Sequence, residues 1–318
     1  MDDTTKQIVF GRARWRGIAT HLRFGGSILA QSLLGNMMRH ADVLVAGILL
    51  TDAAVAVYAQ LQIFIALPLS KITMYAARVA FPTFAHLQDE PQRLINGLSR
   101  LQRLTALAIF PALAGLVAVG PRFFWLYLGP EYHEWLSLAW PALLVLCIGA
   151  GLYTYSYGVA VVLNAVGEAE ALLKRQALGA VIVVATVALA GTAGFIPMAA
   201  GRSAAITVAG LLFLWLGRSR LGFGWAQIRG TVHPALMASV AMGLLVAGVG
   251  LAGSSLLPAS DPFALAAASS KAVIGVLGAQ VLAGVGLYAL LLKLMGLAPL
   301  AEARALMSRG RAVDGPVG

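Results

Sequence analysis

The chain has 318 residues, of which 59% are hydrophobic and 11% are charged, and its mean hydropathy is +0.83. A soluble domain carries about 25% charged residues, so this composition excludes a water-soluble globular protein and predicts a membrane protein. The formal charge of +10 would suit a nucleic-acid partner, but the positions of the basic residues, given below, exclude that interpretation. The single cysteine, Cys147, excludes a disulfide framework and a cysteine metal site.

Eight apolar segments follow one another along the chain, and each reaches or approaches the roughly 20 residues that cross the hydrocarbon of a bilayer. They cover residues 24–50, 53–80, 103–120, 137–163, 176–193, 195–216, 232–254 and 270–293. Backbone groups in lipid must be satisfied within each segment, and no alternating strand pattern is present, so we expect helices. The predicted fold class is an all-α polytopic membrane protein with about eight transmembrane helices.

The first segment carries an unusual group of polar residues, Asn36, Arg39, His40 and Asp42, near its middle. Arg39 and Asp42 are three residues apart and are predicted to pair on one helix face, and Asn36 and His40 are four apart and can meet likewise. A charge at this depth costs about 2.5–3.5 kcal/mol on insertion scales. Two interpretations remain: these residues join the helix to its neighbours, or they face a hydrated cavity and touch a substrate or a coupling ion.

The second segment places Lys71, Tyr75 and Arg78 on one helix face, at spacings of four and three. Tyr58 and Gln62 are predicted to continue this polar stripe. With Arg39 the stripe would form a basic track toward mid-membrane, which suits an anionic group such as a phosphate or pyrophosphate. The alternative is that Lys71 and Arg78 extend to the membrane surface, as cations near helix ends commonly do.

The connection after the second segment contains LQDEPQRLINGLSRLQRL, residues 87–104. Asp89 or Glu90 can cap a helix, Pro91 fits its first turn, and leucines recur at spacings of three and four. This pattern predicts a short amphipathic helix that merges with the third segment, with an ordinary solvated connector as the alternative. Beyond the third segment, aromatic residues between Tyr127 and Trp140 are typical of a membrane surface.

The basic residues are distributed unevenly. Eighteen of the 23 lie in the two tails, in the connections that follow the second, fourth and sixth segments, or at the adjoining segment ends. Only Arg122, Arg202 and Lys271 are assigned to the opposite connections, while Arg39 and Lys71 lie inside segments. The positive-inside rule therefore predicts that both termini are cytoplasmic, and the same asymmetry explains the high net charge without nucleic acid.

No pattern in the chain indicates an enzyme. GVGLAG, residues 248–253, matches a dinucleotide fingerprint, but it lies inside an apolar segment with no preceding strand, which favours close helix packing. The histidines have no metal-ligand spacing. We therefore expect neither catalytic residues, nor a metal, nor a cofactor, although coupling to a proton or sodium gradient is allowed.

Two stretches together resemble a known family. LRFGGSILAQSLLGNMMRHADVLVAGILL, residues 22–50, and AVYAQLQIFIALPLSKITMYAARVAFPTFAHLQDEPQRL, residues 56–94, resemble the seventh and eighth helices of bacterial polysaccharide flippases of the multidrug/oligosaccharidyl-lipid/polysaccharide exporter superfamily. YLGPEYHEW, residues 127–135, is similar to the turn after the ninth helix of that family. The resemblance covers about residues 22–220, where Arg202 is an unusual residue for the twelfth helix.

The resemblance implies a fold and an activity. The family has fourteen helices and moves undecaprenyl-diphosphate-linked oligosaccharides across the bacterial inner membrane by alternating access. This chain corresponds to helices seven to fourteen, the second lobe plus two additional helices. By analogy Arg39, Lys71 and Arg78 would contact the diphosphate, and Asn36 and Asp42 would form a cation or proton site. The candidate residues of the substrate path are Asn36, Arg39, His40, Lys71, Tyr75 and Arg78.

The domain organisation predicted on this basis has five parts. They are a cytoplasmic basic tail (1–23), a six-helix lobe (24–216), a cytoplasmic loop (217–231), two additional transmembrane helices (232–293) and a cytoplasmic tail (294–318).

The partners of the chain would be membrane lipids, lipid-linked oligosaccharide, and either a separate first lobe or a second copy of the chain. We favour a truncated chain over both. The functional alternatives are a membrane-embedded polysaccharide polymerase or ligase and a fragment inactive alone.

Overall fold

The computed structural model describes residues 15–128, 130–254 and 270–295, and its regular structure is helical throughout these ranges. Eight long α-helices follow one another: α1 (Trp15–Leu49), α2 (Asp52–Ala85), α3 (Pro91–Tyr127), α4 (Leu136–Ala165), α5 (Ala169–Gly191), α6 (Phe195–Leu221), α7 (Trp225–Ser254) and α8 (Ser270–Leu294). A short 3-10 helix, Pro130–Trp135, connects α3 to α4. The predicted all-α class is confirmed, with one helix for each of the eight apolar segments.

The surface of the bundle is apolar. Within the described ranges seven helices, α2 to α8, are long and apolar enough to cross a membrane. Large apolar side chains face outward, as Leu189 on α5 and Leu282 on α8 illustrate, each 76% exposed. Asp42, Arg122 and Arg202 are instead buried inside the bundle. This arrangement reverses the pattern of a soluble protein, and the chain is a multi-pass membrane protein.

Residues 24–50 were predicted to span the membrane. Helix α1 is long enough to do so, but it is not apolar enough to count among the seven candidate spans. The reason is the polar sequence from Asn36 to Asp42, which lowers the mean hydropathy of the helix. Since α1 begins at Trp15, residues 15–23 of the predicted tail are helical, whereas residues 1–14 lie outside the described ranges.

Most helices are longer than the apolar segments that predicted them. Because α6 continues to Leu221 and α7 begins at Trp225, most of the predicted cytoplasmic loop 217–231 is helical and only residues 222–224 connect these helices. Its cytoplasmic location stays a prediction. Gly222 ends α6 with a φ of 72°, a left-handed conformation that glycine adopts without a side-chain clash. Of the predicted tail at 294–318, residues from 296 onward lie outside the described ranges.

Helix α3 includes the amphipathic stretch predicted after the second segment. The helical interpretation is therefore confirmed, and the solvated connector is wrong. Pro91 is the first helical residue and Glu90 takes the N-cap position, while Leu94 and Leu98 are buried against the bundle. The Glu90 carboxylate pairs with Arg93 at 2.7 Å and does not cap the helix backbone.

The two ends of the bundle differ in charge. Short connections reverse the chain between successive helices, so α3, α5 and α7 all start at one end. That end carries Lys174, Arg175, Arg218 and Arg220 and is called the basic end below. The opposite end, where α1 joins α2 through residues 50–51, is called the hairpin end.

Arg122 and Arg202 correct the charge assignment made from the sequence. Both lie inside helices, α3 and α6, and not in connections. The Arg122 Nη2 donates a hydrogen bond to the Gly250 carbonyl on α7. A β-carbon at Gly250 would collide with Arg122 and with Gln280 of α8. These contacts are the ends of long side chains, and nothing lies within 4 Å of a β-carbon at Gly248, so the close helix packing predicted for GVGLAG stays a prediction.

Helices α4 and α6 cross in close contact near the centre of the bundle. The Gly149 N–H donates to the Ser203 hydroxyl at 3.1 Å, and that hydroxyl donates to the Val145 carbonyl at 2.6 Å. A β-carbon on Gly149 would lie 2.6 Å from the Ser203 carbonyl oxygen. Only glycine therefore permits this separation of the two backbones.

We expect Gly149→Ala to lower the free energy of unfolding by about 1–3 kcal/mol, since the added methyl group forces α4 away from α6. The free energy of unfolding is measured by adding a denaturing detergent to the protein in mild detergent and following the loss of helix content. This assay is called detergent-exchange unfolding below. The matched control is Gly275→Ala in α8, where nothing lies within 4 Å of the added carbon. The free energy of unfolding of that variant should equal or slightly exceed that of the wild type. An equal decrease in both variants would contradict the packing argument.

Candidate functional site

The polar residues of α1 differ in exposure. Asn36, Arg39 and His40 are exposed, whereas Asp42 is fully buried. The Arg39 Nη2 donates to the Asn36 side-chain oxygen at 2.6 Å. The predicted pairs, Arg39 with Asp42 and Asn36 with His40, are therefore wrong. Asn36 and Asp42 also point to different surroundings and do not combine into one ion site.

Asp42 is the centre of a buried polar cluster that joins three helices. The Tyr58 hydroxyl and the Gln62 amide of α2 donate to the Asp42 Oδ2 at 3.0 and 2.8 Å. The Arg202 Nε of α6 lies 3.2 Å from the same oxygen, in an electrostatic contact without hydrogen-bond geometry. Arg202 also donates through Nη1 to the Met38 carbonyl at 2.9 Å. These four side chains are called the Asp42 cluster below.

The Asp42 cluster lies at one depth in the bundle. Asp42 is seven residues before the end of α1 and Arg202 is seven residues after the start of α6. Both are thus about 10 Å from the hairpin end along their helices. The unusual Arg202 is explained because its guanidinium neutralises Asp42. Each charge alone would be costly in this environment.

Tyr58→Phe tests the weight of one contact in the cluster. The ring keeps its packing, but the Asp42 carboxylate loses a hydroxyl donor at 3.0 Å. Hydrogen bonds to charged groups contribute about 1.5–3 kcal/mol, and we expect a loss of stability in this range in detergent-exchange unfolding. Tyr157→Phe on α4, where the tyrosine is 40% exposed, serves as control and should change little. If the Tyr58 variant is as stable as the wild type, the Tyr58 hydroxyl does not stabilise the Asp42 carboxylate.

Helix α2 does not carry the continuous polar stripe expected from the sequence. Tyr58 is buried and Gln62 half-buried toward α1, while Lys71, Tyr75 and Arg78 are exposed on another face. The prediction that Tyr58 and Gln62 extend the basic face is therefore wrong. The error arose because the spacing of four residues shows only that Tyr58 and Gln62 share a face. Lys71 is nine residues after Gln62, and nine residues at 100° each place it on the opposite side of the helix.

The candidate residues also differ in depth. Arg39 is ten residues before the end of α1, or about 15 Å from the hairpin end, which is half the thickness of a typical hydrocarbon core. Lys71 is nineteen residues after the start of α2, or about 28 Å from the same end. Lys71, Tyr75 and Arg78 therefore lie toward the basic end, and Arg39 is the deep cation of the set.

A second polar group holds α1 nearer the basic end. Gln31 exchanges two hydrogen bonds with Asn164 of α4, at 3.2 and 3.1 Å, and donates to the Ala169 carbonyl at 3.1 Å. The Gln176 amide of α5 donates to the Gln31 carbonyl at 2.7 Å. Together with the Asp42 cluster, these contacts fix α1 at two levels, and the Arg39 side chain between those levels is exposed.

This arrangement leaves a guanidinium and an amide exposed about 15 Å from the hairpin end of the bundle. Arg39 and Asn36 are exposed, and their hydrogen bond uses only part of the five donors of the guanidinium. A guanidinium in this position binds phosphate oxygens well, because its fork of donors fits them in pairs. The chemistry supported by the exposed face of α1 is recognition of an anion.

Comparison with known proteins finds relatives for the part of the chain that carries these residues. A family model described as "Polysaccharide biosynthesis protein" matches residues 5–137. This range includes α1, α2 and α3, with Arg39, Asp42 and Lys71, but not Arg202. The resemblance of these helices to proteins of polysaccharide biosynthesis is thereby confirmed.

Two curated proteins match similar portions of the chain. "Teichuronic acid biosynthesis protein TuaB" of Bacillus subtilis is 31% identical over 133 residues, which cover 42% of this chain and 27% of that protein. "Lipopolysaccharide biosynthesis protein WzxC" of Escherichia coli is 29% identical over 147 residues, covering 44% and 29%. The chain thus matches less than a third of the length of either relative.

Proposed function

We propose that this chain forms a lobe of a bacterial transporter that moves undecaprenyl-diphosphate-linked oligosaccharide across the inner membrane for surface polysaccharide biosynthesis. The basic end faces the cytoplasm, and transport proceeds by alternating access without a catalytic residue. The observation that carries the proposal is the exposed Arg39 at mid-depth on α1, beside Asn36. The matches to polysaccharide biosynthesis proteins over α1–α3 support it.

The roles of the candidate residues follow their depth and exposure. Arg39, Asn36 and His40 bind the diphosphate at mid-membrane, because they are exposed there and carry suitable donors. Lys71, Tyr75 and Arg78 attract the anionic headgroup at the entrance near the basic end. We assign Asp42 a positioning role, since the Arg202 guanidinium already balances its charge and an exchangeable sodium ion or proton is not needed there.

Complementation tests the proposal. The chain is expressed together with a separate first lobe, taken from a full-length polysaccharide flippase, in a strain that lacks its polysaccharide flippase and, separately, in a strain that lacks the polymerase of the same locus; the first lobe alone is the control. Antibody labelling of intact cells measures surface polysaccharide, and immunoblotting of membranes confirms that the chain is present. We expect polysaccharide to return only in the flippase-deficient strain. Its return only in the polymerase-deficient strain, or in neither strain, would overturn the proposal.

A further inference from the structure

A groove of about 780 Å³ opens between α5 and α6 at the basic end, and no described residue of α1 lines it. Its polar lining includes Lys174 and Arg175 on α5, Arg220 on α6 and Glu168 before α5. Trp215 of α6 forms the apolar wall and is 50% exposed. The proposed transport path does not use any of these residues.

The groove carries an excess of positive charge. Arg220 forms a long contact of 3.6 Å with Glu168, in which both side chains are partly exposed, so the pair holds the two residues only weakly. The Arg175 guanidinium lies 4.5 Å from the centre of the Trp215 ring, a cation–π contact that orients it without neutralising it. Lys174 is exposed and has no ion pair among the described residues.

The charge count of the lining matches one phosphodiester. Three cations, Lys174, Arg175 and Arg220, oppose the carboxylates of Glu168 and Glu170, which leaves one unit of positive charge. A single phosphodiester carries one negative charge. Arg175 presents a planar set of donors and Lys174 a point charge, and this combination holds phosphate oxygens.

Apolar side chains continue the groove toward the hairpin end. On α5, Leu178 and Val181 are 45% and 67% exposed and lie on the same helical face as Lys174. On α6, Val208 and Leu211 are 42% and 44% exposed and share a face with Trp215. A ligand with a charged head and hydrocarbon chains would contact cations at the basic end and apolar side chains above them.

We propose that this groove is a binding site for a membrane glycerophospholipid, whose phosphodiester is held by Lys174 and Arg175 and whose acyl chains lie along α5 and α6. The exposed apolar stripe favours a lipid over a soluble phosphate, because a soluble phosphate would leave that stripe uncovered. Trp215 sits at the junction of the two regions, where its ring has an apolar body and a polar edge. The lipid fills the space between the helices and orders the basic end of α5 and α6.

Native mass spectrometry of the purified chain tests the site. The chain is released from micelles with added phosphatidylglycerol, and the retained lipid is counted at increasing collision energy. We expect the wild type to retain one phosphatidylglycerol, and Lys174→Gln with Arg175→Gln to reduce its retention about tenfold or more, because each charge-assisted hydrogen bond contributes about 1.5–3 kcal/mol. The matched control, Arg218→Gln with Lys293→Gln, also removes two cations at the basic end but none from the groove.

The outcomes separate the ligand sources. Glycerol phosphate at the same concentration should not displace the bound lipid, and displacement would show a site for soluble phosphate and overturn the lipid assignment. Equal retention by the wild type and the groove variant, or an equal loss in the control variant, would show that the cations do not form a site. Circular dichroism of each variant confirms that the helices are intact.

Discussion

Arg202→Met is expected to destabilise the protein by about 3–5 kcal/mol, because it leaves the Asp42 charge buried without its partner. The methionine keeps the apolar stem of the arginine and ends before the guanidinium, so the loss reports mainly the guanidinium. The substitution also removes the hydrogen bond to the Met38 carbonyl. Detergent-exchange unfolding, followed by helix content, measures the change.

Two further variants make the result specific. Combining Arg202→Met with Asp42→Asn removes both charges and leaves Tyr58 and Gln62 an amide to contact, so most of the lost stability should return. Arg218→Met removes a cation from an exposed position on the same helix and should change stability by less than about 0.5 kcal/mol. If the double variant is less stable than Arg202→Met alone, the pair is not the source of the effect.

Arg39→Ala is expected to abolish most transport while leaving the fold unchanged. The side chain is exposed and its hydrogen bond is to Asn36 on the same helix, so its removal breaks no hydrogen bond between helices. Loss of charge-assisted contacts to the diphosphate, about 1.5–3 kcal/mol each, corresponds to roughly tenfold or greater loss of binding. Surface polysaccharide in the complementation assay should fall accordingly, with the same amount of chain in the membrane.

Leu44→Ala is the matched control for this experiment. Leu44 is 70% exposed on the same helix, and it offers no donor to an anion. Its replacement should therefore leave surface polysaccharide unchanged. Wild-type transport by the Arg39 variant would remove the diphosphate contact from the mechanism. A loss in the Leu44 variant as large as that in the Arg39 variant would assign the effect to the surface of α1 as a whole.

The sequence predicted the helices because lipid makes one requirement dominant: each segment must satisfy its own backbone and present apolar side chains. Their ends were less predictable. Polar residues such as those at 217–221 and 225–231 are as compatible with a helix that leaves the hydrocarbon as with a loop. The helical character of residues 91–102 was readable because Pro91 and the leucine spacing both indicate it.

The site was predicted only in part, because the sequence gives spacing within a helix and not the partner across helices. It identified Asp42 and Arg39 as polar residues in an apolar segment, but paired them with each other. The true partner of Asp42, Arg202, is 160 positions away in α6. One signal was present: an unpaired acid in one apolar segment and an unpaired base in another indicate a pair, since either alone is costly in lipid.

The Asp42 cluster and the contacts of Gln31 fix the rotation of α1 about its own axis. Turning α1 by one residue, about 100°, would pull Gln31 from Asn164 and Asp42 from Arg202 at the same time. Tilting α1 together with α2, α4, α5 and α6 breaks neither, because these helices carry the partners of Gln31 and Asp42. The Arg39 guanidinium therefore moves together with the neighbouring helices. Any movement that exposes it to the other leaflet must move those helices as one rigid body with α1.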